Sequence, residues 1–96
     1  MAYVHIAHTS GKTIDDFRTI AGKTDPPNET DGLLLHAAGS DDNGGLRVLT
    51  VWESKAHEQR WEAEQLFPAF QAAGIASDVM ANTVFTTYEA ADVYIR

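Results

Sequence analysis

The centre of the chain constrains its fold most. Two apolar runs, Leu33-Leu34-Leu35-His36-Ala37-Ala38 and Leu46-Arg47-Val48-Leu49-Thr50-Val51-Trp52-Glu53, flank the segment Gly39-Ser40-Asp41-Asp42-Asn43-Gly44-Gly45. Gly, Asn and Asp supply the backbone freedom and local side-chain bonds that a tight reversal needs. The spacing therefore predicts an antiparallel hairpin, with strands at about 33–38 and 46–53. Asp41 and Asp42 read as turn residues.

The flanks supply the other elements. Residues 2–8 read as a strand, with Val4 and Ile6 on one face and Tyr3 and His5 on the other. Thr13 can cap a short helix, with Asp16 in a capping-box position and Ile14, Phe17 and Ile20 at helical spacing, ending near Gly22. The Pro26-Pro27 pair makes residues 23–32 a loop. Ser54 can cap a second helix with a core-facing stripe of Ala56, Arg60, Ala63, Phe67 and Phe70, kinked or restarted at Pro68 and ended by Gly74. A loop at 75–81 and a last strand at 82–89 complete the order β-α-β-β-α-β. That order predicts one α+β domain over 1–96: a ferredoxin-like four-stranded antiparallel sheet with its helices on one face. The opposite face carries apolar residues on several strands, so a second copy is expected to cover it, making a homodimer with a space enclosed between two sheets.

The formal charge of −7, from 14 acidic and 7 basic residues, argues against nucleic acid and anionic membranes as partners. No cysteine is present, so disulfides and thiolate metal sites are excluded. No run reaches the roughly 18 apolar residues of a membrane span, and Met1-Ala2-Tyr3-Val4-His5 lacks the pattern of a secretory leader. A reducing cytoplasm is the expected location.

The run Gly45-Leu46-Arg47-Val48-Leu49-Thr50-Val51-Trp52-Glu53-Ser54, continuing through Trp61 to Leu66-Phe67-Pro68, resembles dimeric α/β-barrel proteins, and Val51-Trp52-Glu53-Ser54 at a strand-to-helix junction resembles the antibiotic-biosynthesis-type monooxygenases. That resemblance implies the dimeric barrel, with the Val48, Thr50 and Trp52 face looking into it. Superfamily members include cofactor-free oxygenases, haem-degrading monooxygenases, polyketide cyclases and muconolactone isomerases. The haem-degrading branch implies a tryptophan where Trp61 stands and an iron-binding histidine where this chain has Gln71. Haem degradation is therefore not expected, and no cofactor is implied.

The resemblance and the residues together point to a cofactor-independent monooxygenase or cyclase acting on an aromatic or polyketide-like molecule. His36, alone in an apolar strand, is the candidate general base, although its face depends on the strand register. Val48, Trp52, Trp61, Phe85 and Tyr88 are candidate substrate contacts. Trp61 stands off the helical stripe and fits either a pocket mouth or a dimer surface. Asn82 is a weaker candidate. No metal is expected, because His5-x-x-His8 alternates faces on a strand and no carboxylate completes a set. The alternative is a non-catalytic homodimer that binds a small hydrophobic molecule or serves as a scaffold.

Overall fold

The computed structural model describes residues 1–96. Strand β1 (Ala2–Ser10) leads to helix α1 (Ile14–Ala21) and a 3-10 turn at Pro27–Glu29. The central hairpin pairs β2 (Leu33–Ser40) with β3 (Gly45–Trp52). Helix α2 (Lys55–Trp61) passes through a wide π turn at Glu62–Leu66 into α3 (Phe67–Ala73). Helix α4 (Ala76–Asn82) then precedes β4 (Thr83–Ala90). The sheet runs β2-β3-β1-β4, antiparallel throughout.

Local chemistry explains the boundaries. The Thr13 hydroxyl accepts from the Asp16 backbone N–H while the Asp16 carboxylate accepts from the Thr13 N–H, which closes the capping box. Ser54 caps α2 by accepting from the His57 N–H. Pro68 occupies the first turn of α3, where its missing N–H costs nothing, and Gly74 ends that helix at a left-handed φ of 71°. In the hairpin, Asp41 accepts from the backbone N–H groups of Gly45 and Asn43 and lies 2.6 Å from His8 Nε2. Those bonds, Gly45 first, hold its carboxyl below the usual range.

Two sequence expectations change. Residues 76–82 form a helix instead of a loop, because Val79 has a core site to fill and Asn82 turns back onto Asp78; Lys12 ties the same helix to the β1–α1 turn through a 2.7 Å pair with Asp78. The stripe of the second helix is also rotated. Ala56, Arg60 and Ala63 are exposed, while Glu58, Trp61, Glu62 and Leu66 turn toward the sheet. The π turn, whose hydrogen bond runs from the Phe67 N–H to the Glu62 carbonyl, adds a residue to one turn. A single 100° wheel therefore cannot describe both of its sides.

Alternation fixes the two faces of the sheet. Toward the helices point Tyr3, His5, Ala7 and Thr9 of β1, Leu46, Val48, Thr50 and Trp52 of β3, and Thr83 and Phe85 of β4. The outer face centres on Val4, Ile6, Leu49 and Val51 and is bordered by exposed Leu35, Val84 and Tyr88. No helix is long and apolar enough to cross a membrane.

Candidate functional site

A cavity of about 350 Å³ lies within the single chain, between the sheet and its own helices. The expectation placed the enclosed space between two facing sheets. The face carrying Val48, Thr50 and Trp52 does line a cavity, but α1, α3 and α4 roof it. Phe17, Phe67 and Phe70 close the roof, and the Pro26–Thr30 segment borders it. That segment is latched to the π turn by Gln65, which accepts from the Asp25 N–H and donates to the Asp25 carboxylate.

His36 reaches the cavity because of a bulge. Leu33 pairs with Trp52, but the next register partner is Leu35 with Val51, so Leu34 is the extra residue. Regular alternation from Leu33 would send His36 outward. The bulge restores it to the helix side, opposite Thr50. There the ring is exposed at the cavity edge and stacks on Phe17, with centroids 6.4 Å apart and planes at 21°.

Trp52 forms the floor. It is 0% exposed, and its indole Nε1 is buried without a hydrogen-bond partner. Trp61 packs against it with centroids 5.4 Å apart and also lines the cavity. Phe85 and Val48 lie on the same wall. Tyr88 does not reach it: three residues from Phe85 along a regular strand, it points to the outer face and is 53% exposed. Asn82 is exposed at the end of α4, bound to Asp78.

A second cluster lies beside the cavity. His5, from the middle of β1, meets Glu58 and Glu62, one helical turn apart. His5 Nε2 stands 3.8 Å from Glu58 Oε2 and 3.5 Å from Glu62 Oε1. Glu58 is 2% exposed. Burial, and then the neighbouring Glu62 carboxyl, push its pKa up to about 8. Burial also lowers the His5 pKa, an effect that Glu62 partly opposes. The spacing of the histidines missed this site because its partners are glutamates from a distant helix. The only sequence signal is Glu58-x-x-x-Glu62, a spacing that is common on solvated helix faces. His57, with Asp31 and Glu53 at 3.8 and 3.7 Å, forms a more exposed group elsewhere.

No protein-family model matches the sequence, and no curated protein matches it. Solved structures do match. A candidate antibiotic biosynthesis monooxygenase from Deinococcus radiodurans superposes with a TM-score of 0.68 at 17% identity, covering 100% of this chain and 98% of that one. The ActVA-Orf6 monooxygenase of Streptomyces coelicolor, solved with nanaomycin D, gives 0.65 at 11% identity, covering 99% and 92%. SnoaB of Streptomyces nogalater, a cofactor-independent oxygenase, gives 0.62 at 16% identity, covering 96% and 95%. This chain therefore has the ferredoxin-like fold of the antibiotic-biosynthesis-monooxygenase-like proteins.

Proposed function

We propose that the chain binds a flat, mostly apolar phenol or enol in the cavity and acts on it as a cofactor-independent oxygenase or cyclase. The observation that carries this reading is the cavity itself: apolar walls, one buried indole N–H without an acceptor, and one imidazole at the edge. Apolar pockets with few placed polar groups suit aromatic ligands. His36 takes the acidic proton. In an oxygenase the carbanion reduces O2 itself. A ring CH2 becomes a carbonyl, and the second oxygen atom leaves as water with the two substrate hydrogens, so no external reductant is consumed. In a cyclase the same carbanion attacks an internal carbonyl. The named structural neighbours include a cofactor-independent oxygenase.

The test uses anthrone-type phenols. Both tryptophans of the chain line the cavity, so ligand entry should quench the intrinsic fluorescence. Turnover should appear as oxygen uptake, and His36→Ala should lower kcat by about 10²–10⁴ while the exposed position leaves folding intact. Quenching without turnover of oxygenase or cyclase probes leaves a binding protein. Absence of both rejects the reading.

The proposal includes a homodimer through the outer face, where Val84 and Tyr88 on one edge strand and Leu35 on the other are exposed. Light scattering should give twice the 10.5 kDa chain mass. Val84→Lys together with Tyr88→Lys should give a folded monomer. A wild-type monomer at high micromolar concentration would remove the dimer.

A further inference from the structure

The group formed by His5, Glu58 and Glu62 has a composition that packing alone does not explain. Two glutamates four residues apart on a helix repel when both are ionised, and here both turn inward. Glu58 has no cation within hydrogen-bonding distance; its nearest is the single imidazole at 3.8 Å. A site serving only to fill space is filled at less cost by apolar side chains of similar volume. A divalent cation between the helix and the strand would satisfy both carboxylates at once.

The geometry suits an ion. Three donors held ~2.1 Å from a tetrahedral centre lie ~3.4 Å from one another. The His5 nitrogen stands 3.5 and 3.8 Å from the two carboxylate oxygens, and all three donor atoms lie within 4.8 Å of one another. One donor comes from the inner strand β1, one from α2 and one from the π turn that continues it, so the fold sets their spacing. Glu62 and His5 keep partial exposure, which leaves an entry path. His5 also packs on Phe85 with centroids 5.3 Å apart, and Phe85 lines the cavity. The cluster thus sits behind one cavity wall and is separate from the cavity.

We propose that His5, Glu58 and Glu62 bind one divalent first-row transition ion. One imidazole and two carboxylates, with no sulfur, match Zn2+, Mn2+ or Fe2+ and disfavour Cu+. Three protein ligands leave at least one position for water. The inference does not depend on what the cavity binds.

Co2+ is the spectroscopic probe and Zn2+ the thermal one, both added to the whole chain after chelator treatment. Wild type should take up one equivalent of Co2+ with visible bands of a low-coordinate N/O site, and Zn2+ should raise its Tm. Glu58→Gln and His5→Phe should each weaken binding by at least about 100-fold, and Glu62→Gln serves should either fail to fold. His57→Asn should bind as wild type does. The proposal is overturned by the absence of bands in wild type. It is equally overturned if Glu58→Gln keeps them and His57→Asn loses them, because the ion then sits on the exposed Asp31, Glu53 and His57 group.

Discussion

Metal-free protein is expected to lose stability as pH rises from about 6.5 to 8, and Glu58→Gln should abolish that loss. The folded-state pKa is pushed up to about 8 from an ordinary 4.5. Below pH 4.5 the carboxyl is protonated in both states and folding is insensitive to it. Above that point the unfolded chain releases the proton and the folded chain keeps it, so stability falls until the folded carboxyl also ionises. His5 acts in the opposite sense. Its pKa is lowered by burial, so its contribution is present above about 6.5 and is lost as pH falls. The two effects oppose each other just below 6.5, and only the Glu58 effect operates between 6.5 and 8. The slope there should approach about 1.4 kcal/mol per pH unit at most. Denaturant titrations at several pH values measure it. Parallel curves for wild type and Glu58→Gln would show that the buried carboxyl is ionised at neutral pH.

The same cluster marks where sequence reading stopped. Strand and turn chemistry was legible because its causes are local: Asp41 bonding its own turn, Thr13 and Asp16 closing a box, Gly74 taking a left-handed φ. The element order, and with it the sheet topology, followed from those signals. The helix at 76–82 was not legible, because Val79 is its only buried residue and no side chain caps its start. The inward face of α2 was misread for a different reason. A hydrophobic wheel assigns glutamates to solvent, and here Glu58 and Glu62 meet His5 beneath the helix.

The cavity was legible in part. Val48, Thr50 and Trp52 alternate on one face in any regular strand, and Phe85 shares that face through its pairing with Ala7. The position of His36 depended on the bulge at Leu34, which has no local signature in a run of three leucines. Tyr88 was misplaced because the parity of the last strand was unknown until its pairing with Val4 fixed it. The cover over this face was also misassigned. The helices of the same chain roof the space, and α4, which supplies Val79 and Met80 to it, was the element missing from the sequence reading.

Trp52→Ala is expected to be the most damaging single substitution. Trp52 is the one large side chain with no solvent exposure, and it packs on Trp61. Truncating a buried Trp costs about 3–5 kcal/mol. For a domain of this length that lowers Tm by roughly 15 °C or more, measurable by calorimetry or circular dichroism. Trp52→Phe separates the two roles of the residue. It keeps an aromatic ring in the floor and removes the N–H, which has no partner to lose. Its stability cost should therefore be well under half that of Trp52→Ala, and the fluorescence of Trp61 remains to report ligand entry. If the indole N–H holds a ligand oxygen, affinity for phenols should fall about 10-fold, while affinity for hydrocarbons of the same shape stays the same. Equal affinity for both ligand types would mean that the buried donor is a tolerated cost of filling the floor. Recognition would then rest on the shape of the cavity alone.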